Sequence, residues 1–341
     1  MQHKKHRITI TDIAKKLNVS TSTVSRALTE HGDVKAETKA KIIAFAKEMD
    51  YQPDPFAVQL RKRTSKTIGV IIPKIENRFF SKALSGMQEF ANEHGFNLLI
   101  SQSEESVLQE RKNLENMLKN QVAGLITSIS LETNEFSHFK KVLNSETPIV
   151  FFDRVSESLL SSKVIIDDYE ASYKAVVHLL EQGCRNIAHI TGPQSLLNNR
   201  SRHEGYRNAL RKFNVPYNTD LVTVLHSYES INVPAILRNL LQEKNKIDGI
   251  FAINDLVAIE IIHHLKRQGY RIPEEIAIVG FNNETVSQFI DPPLTTVESP
   301  AWELGRRSCE ILIQHINKES YPIQSEVIKS RLIIRESSLR S

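Results

Sequence analysis

Two cysteines in 341 residues, Cys184 and Cys309, are too few and too far apart for a disulfide framework, and neither stands in the C-x-x-C spacing of a zinc site. They read as buried free thiols in a reducing compartment. No apolar run approaches the roughly 18 residues that a membrane span requires. The first ten residues are basic and polar, with no apolar stretch behind them, so a secretory signal is not expected and the cytoplasm is. The signatures H-E-x-x-H, G-x-S-x-G, the P-loop and G-x-G-x-x-G after a strand are all missing. His263 and His264 lie on a helical stretch without a partner carboxylate at useful spacing and read as surface residues. An enzyme, a metal site and a cofactor are therefore not expected.

Charge is unevenly spread. Residues 1–66 hold 14 Lys and Arg against 7 Asp and Glu, a net +7, which leaves −3 for the remainder of a chain whose net is +4. A small basic head on a mildly acidic body suits a head that meets a polyanion.

Residues 1–50 hold three short helical patterns. Thr9 and Asp12 have capping-box spacing, and Ile13, Ala14 and Leu17 follow as an apolar stripe. The break falls at Asn18-Val19-Ser20. Ser20 then suits the N-cap of a second helix, Thr21–Leu28, with Val24 and Leu28 inward. A polar turn over 29–33 leads to a third pattern with Ile42, Phe45, Ala46 and Met49 on one face. Helix, short turn, helix is the helix-turn-helix spacing, and the third helix closes a core. The outward face of the second helix carries Thr21, Ser22, Ser25 and Arg26. On spacing alone this is either a DNA-reading face or the solvated side of a small bundle.

The segment "ITITDIAKKLNVSTSTVSRAL" resembles the DNA-binding head of the LacI/GalR family of bacterial transcription regulators. The resemblance implies that Thr21, Ser22 and Arg26 read bases in the major groove, and that Thr9, Ser20, Thr23 and Thr38 touch phosphates. One departure stands at the start of the third helix. Lys35 replaces the usual capping serine, which leaves the cap to Asp33, water or nothing, while Lys35 remains a candidate phosphate contact.

Residues 51–66, "YQPDPFAVQLRKRTSK", read from composition as a flexible basic linker with extended backbone around Pro53 and Pro55. By the resemblance this is a hinge that becomes helical on DNA, with Leu60 as the apolar wedge in the minor groove and Ala57 beside it.

From Thr67 onward, short β-branched runs alternate with amphipathic stretches. The runs include 68–72, 97–100, 124–129, 149–152, 187–190, 249–253 and 276–279. Continuous apolar strands between helices predict parallel sheets covered on both faces, a doubly wound α/β body. In such sheets ligands bind beyond the carboxyl ends of the strands. Those positions carry Asn77 to Phe80, Asp153-Arg154, Thr191-Gly192-Pro193 with Arg200 and Arg202, Asn254-Asp255, and Gly280-Phe281-Asn282-Asn283. Aromatic faces and hydrogen-bonding groups gathered at one edge suit a polar ligand.

The body resembles the periplasmic-binding-protein-like core of the same family, in "GVIIPKIENRFF", "PIVFFDR", "HITGP", "RSRHEGYRNAL", "FAINDLVAIEI", "IAIVGFNN" and "PPLTTVESPAWELGRR". The resemblance implies two doubly wound parallel-sheet subdomains, about 67–166 with 297–322 and about 167–293 with 326–341. It places the crossings near Asp167, Pro292–Val297 and Pro322–Glu326. Phe79, Phe80, Asp153, Arg154, Arg202, Asn254 and Asn282 would line the effector cleft. Asn282 stands where the family often has Asp, which removes a charge. The function implied is a sequence-specific DNA-binding regulator, a repressor by the family pattern. A small polar effector, a sugar or sugar phosphate, would switch it on a pseudo-palindromic double-stranded operator. A transport-type solute-binding protein would share the core but not the basic head. No leucine heptads follow "RLIIRESSLRS", so a homodimer is expected.

Overall fold

A computed structural model describes residues 8–28, 34–51, 65–226, 231–242, 245–318 and 321–340. The chain divides into two compact units, Met1–Ser65 and Lys66–Ser341.

In the first unit, helix α1 spans Ile10–Leu17, α2 spans Thr21–Ala27 and α3 spans Ala36–Glu48. The capping box forms as the spacing predicts. Thr9 accepts the Asp12 amide, and the Asp12 carboxylate accepts the Thr9 amide at 2.9 Å. Asn18 ends α1 in the left-handed region at φ 52°, which turns the chain, and Ser20 caps α2 by accepting the Thr23 amide at 3.0 Å. Ile13, Ala14, Val24, Ala27, Ile42 and Ala46 form the buried core, with Leu17, Leu28 and Phe45 packed around it. Met49, expected inward, is exposed: α3 ends at Glu48 and Met49 is its C-cap, beyond the edge of this small core.

In the second unit two six-stranded sheets are found among the described residues. The first sheet collects β1 (Thr67–Ile72), β2 (Asn97–Gln102), β3 (Gly124–Thr127), β4 (Ile149–Phe152), β5 (Ser162–Ile166) and β11 (Ser325–Ile328), in the order β11-β5-β4-β3-β1-β2, all parallel. The second sheet collects β6 (Ile187–Thr191), β7 (Val222–Val224), β8 (Gly249–Ala252), β9 (Ala277–Phe281), β10 (Thr295–Glu298) and β12 (Arg331–Ile333), in the order β12-β10-β9-β8-β6-β7. Its edge strand β12 runs antiparallel to β10, so the sheet is not wholly parallel as expected.

Helices cover both faces of each sheet. On the first, α4 (Arg78–Glu93) and α11 (Ala301–Ile316) bury Ala83, Met87, Leu304 and Leu312 on one side. On the other, α5 (Val107–Lys119) and α6 (Ser137–Leu143) bury Leu114, Met117, Phe139 and Val142. On the second sheet, α7 (Asp168–Glu181) and α8 (Leu197–Lys212) bury Ala175, Leu179, Tyr206 and Ala209, and α9 (Val233–Leu240) and α10 (Asp255–Arg267) bury Ile236, Leu240, Ile261 and Leu265. Gly86 and Gly305 let α4 and α11 touch. A Cβ at Gly305 would lie 1.9 Å from the Ala83 carbonyl oxygen, and one at Gly86 would lie 2.0 Å from that of Trp302.

The chain passes between the sheets three times, and two of the crossings lie later than expected. The first is at Asp167, between β5 and α7. β10 pairs with β9 through Val297, so the chain leaves the second sheet only after Glu298. β11 pairs with β5 from Ser325 to Ile328, so these residues belong with the first sheet and the return lies between Ile328 and Arg331. In the last crossing Val327 and Ile328 pair with Ile165 and Ile166 of β5, and the ladder ends before Lys329-Ser330.

Candidate functional site

In the head, Thr21, Ser22 and Arg26 are exposed on α2, while Val24 and Ala27 on its other side are buried. Helical spacing produces this split: positions 24 and 27 share a face three residues apart, which turns 22 and 26 outward. Ser20 and Thr9 are exposed N-caps, and Thr23 and Thr38 are half-buried. Ser20 joins Ser22 and Thr23 in a hydroxyl cluster with 2.7 Å separations. Lys35 is exposed at the N-cap of α3 and makes no capping bond, so its ammonium is not tied to that helix end. Ala57 and Leu60 of the expected hinge, and Asp33, lie outside the described residues.

In the second unit the expected residues lie beyond the carboxyl ends of strands of both sheets. Asp153 follows β4 and is buried at φ 58°, and Asn282 follows β9 at φ 101°. Both are non-glycine residues in the left-handed region, a conformation that persists only where the surroundings hold it. Asn282 donates its amide to the Val297 carbonyl at 2.7 Å, and its Oδ1 accepts the Ser299 hydroxyl at 3.0 Å.

Two buried arginines dominate the electrostatics. Arg202 of α8 donates to Asp168 at 2.7 Å and to the Ile253 carbonyl at 3.2 Å, and its guanidinium lies 3.6 Å above the Phe281 ring. Arg154 donates to Glu105 at 2.7 Å, stands 3.9 Å from Asp153 and lies 5.7 Å over the Phe80 ring. The option that Arg154 pairs with a carboxylate is thus realised. Burial pushes the Asp153 carboxyl up to about 6. Arg154 lowers it, Asp168 raises it, Arg202 lowers it and Glu105 raises it. The field of a first-sheet carboxyl therefore includes groups of the second sheet, Asp168 and Arg202.

Other expected residues serve packing or capping. Phe79 and Phe80 meet edge to face at 5.3 Å, and Phe80 meets Phe152 at 6.1 Å, all within the apolar cluster. Asn254 caps α10 by accepting the Val257 amide at 2.9 Å. Both asparagine side chains thus spend an oxygen internally, leaving their Nδ2 groups without a partner among the described residues.

Asp168 and Glu105, absent from the expected set, hold the two buried arginines, and Phe281 and Asp255 stand at strand ends that the sequence already pointed to. Asp168 adjoins the crossing at Asp167, a signal available in the sequence. Glu105, in the turn after β2, carries none. Asp255 is fully buried. It accepts the Glu284 amide at 2.6 Å and the Thr296 hydroxyl, and burial pushes it up to about 7 against these bonds. At the end of β3 the hydroxyls of Thr127 and Ser128 are buried with no partner among the described residues. Among those residues no cluster of three or more His, Cys, Asp or Glu could hold a metal ion, and no helix is long and apolar enough to cross a membrane. Cys184 and Cys309 are buried free thiols.

Comparison with known proteins agrees with this geometry. The family pattern of bacterial regulatory proteins of the lacI family matches residues 9–54, and that of the periplasmic binding protein-like domain matches residues 176–338. The ribose operon repressor of Halalkalibacterium halodurans is 33% identical over 331 residues, 97% of this chain and 97% of that protein. The solved transcriptional regulator CelR–cellobiose complex superposes with a TM-score of 0.74 at 25% identity, covering 97% of this chain and 100% of that one. The lac repressor dimer bound to operator and the anti-inducer ONPF superposes with a TM-score of 0.85 at 23% identity, covering 98% and 100%, a likeness of fold. With a relative one-third identical from end to end, a matching DNA-binding head and a matching ligand-binding core, the chain belongs to the lacI family of bacterial regulatory proteins.

Proposed function

We propose that this chain is a cytoplasmic, homodimeric operator-binding repressor whose grip on DNA is set by a sugar held between the two sheets of its core. The observation that carries the DNA half is the exposed face of α2, with Thr21, Ser22 and Arg26 outward over a buried Val24–Ala27 seam. Arg26 reads a guanine edge, Thr21 and Ser22 read neighbouring bases, and Thr9, Ser20, Thr23, Lys35 and Thr38 position the head on phosphates. Ala57 and Leu60 enter the minor groove.

The effector half rests on the cleft. Asp153, Arg154, Arg202, Asn254 and Asn282 supply hydrogen bonds to hydroxyls, and Phe79 and Phe80 supply the apolar wall. A sugar is supported by the name of the ribose operon repressor relative and by the cellobiose bound to CelR. The dimer is supported by apolar side chains that the core leaves in solvent: Phe289 is 76% exposed and Leu256 62% exposed, with Val286 nearby in sequence. Two protomers would set two heads on the halves of a pseudo-palindrome. Effector and DNA are coupled only if the sugar binds one arrangement of the subdomains better than the other. Selection of a binding site from random duplex DNA, followed by mobility shift with and without sugars, tests the reading. Selective binding that a sugar alters is expected; absence of selective binding in every condition would overturn it.

A further inference from the structure

We propose that the cleft takes an uncharged sugar and rejects its phosphate ester, because the two arginines buried in it are already held by carboxylates of this chain. The inference rests on the cleft being the effector site. A phosphate ester brings about −1.5 to −2 charges at pH 7 and is recognised by unspent Arg or Lys charge or by open amides at a helix N-terminus. The first provision is lacking at the two buried arginines, and the second at two of the helix ends beside them.

Deep in the cleft, Arg202 is bound to Asp168 and Arg154 to Glu105, each at 2.7 Å. Further out, Arg78 faces Glu284 and Lys74 faces Glu104, both at 3.8 Å, and Arg200 is paired with Glu157. Two of these pairs, Arg78–Glu284 and Arg200–Glu157, join residues following strands of different sheets, so they span the cleft. Asp153, 3.9 Å from Arg154, and Asp255 are further carboxyls, and Asn282 adds no charge. A dianion would enter a region whose buried arginines are matched by carboxylates, and would lose its hydration without gaining an unspent guanidinium. Two of the helix ends are spent as well, while the N-terminus of α8 has no side-chain cap. Asp167 caps α7 at the Glu170 amide, Asn254 caps α10, and Asp255 already lies in the first turn of α10.

A neutral polyol meets a different surface. A guanidinium bound to one carboxylate still has N–H groups for a hydroxyl oxygen, the Nδ2 groups of Asn254 and Asn282 donate, and the Asp153 carboxyl accepts. None of these contacts requires surplus positive charge.

The test is titration calorimetry on the full chain with D-ribose, D-xylose, D-glucose and cellobiose, and with the phosphate esters of the three monosaccharides. A monosaccharide of the panel should bind at least 100-fold more tightly than its own ester. An ester that binds as tightly as its parent sugar, for instance on the uncapped N-terminus of α8, overturns the proposal and leaves the cleft reading intact. If no member of the panel binds, the sugar reading itself falls and the proposal with it. Glu105→Gln removes the negative partner of Arg154 and should narrow the sugar-to-ester ratio at least tenfold. Because both ligands are measured on the same variant, any unfolded fraction cancels in the ratio. An unchanged ratio would refute the charge argument.

Discussion

The pair Arg202–Asp168 offers the sharpest test of how the cleft is held. Both side chains are buried, the hydrogen bond is 2.7 Å, and the guanidinium also lies on Phe281 and donates to the Ile253 carbonyl. Arg202→Met keeps much of the volume but leaves the Asp168 carboxylate in a dry site with no counter-charge. Removing one partner of such a pair costs about 3–5 kcal/mol. For a unit of this size that is roughly 6–15 °C in melting temperature. The loss should depend on pH. Burial already raises the Asp168 carboxyl, and Arg202 is the largest influence holding it down. Without Arg202 the folded-state pKa climbs further above the unfolded one. A carboxyl raised in the folded state is stabilising below its unfolded pKa, and that contribution is lost as pH rises through the folded value. The gap between parent and variant should therefore widen from pH 5 to pH 8. Calorimetric melting of the core at three pH values measures it. The double variant Arg202→Met with Asp168→Leu should recover most of the loss, because no charge is then stranded. A gap constant with pH, or a double variant no more stable than Arg202→Met alone, would refute the reasoning.

Asp255→Asn should flatten the pH dependence of core stability. In the parent, the carboxyl raised to about 7 contributes stability that is present below about pH 4 and lost as pH climbs to 7, on the order of a few kcal/mol; a melting profile of the variant as steep as the parent's would count against this. Gly305→Ala places a methyl 1.9 Å from the Ala83 carbonyl oxygen and should cost at least about 1–3 kcal/mol by denaturant unfolding, since neither helix backbone can yield cheaply; a neutral result would mean that α4 and α11 separate freely. Arg26→Ala should cost about 1–3 kcal/mol of discrimination at one base pair, whereas Lys35→Ala should weaken all DNA about equally and lower the salt slope by about one. Anisotropy titrations on matched and mismatched duplexes at several salt concentrations separate the two, and loss of discrimination from Lys35→Ala would reverse the roles.

What the chain announces by itself is local and periodic. Thr9 with Asp12, Ser20 before a helix-period run, and the outward placement of Arg26 follow from caps and 3.6-residue spacing, and each is decided within a few residues. The alternation of β-branched runs with amphipathic stretches likewise dictates covered parallel sheets. Strand ends then name most of the cleft, since ligands lie where strands stop. Only the tertiary structure decided which sheet each late strand joined, because Ser325–Ile328 and Arg331–Ile333 are both short, each with two apolar residues, and are sorted by partners far away in sequence. It also decided the charge state of the cleft. Arg202 meets Asp168 across 34 residues and Arg154 meets Glu105 across 49, and no spacing rule reaches that far. The residue types at the site were legible because chain direction and strand termini set them; their pairing was not, because burial and Coulomb energy depend on neighbours that only the packed fold brings together.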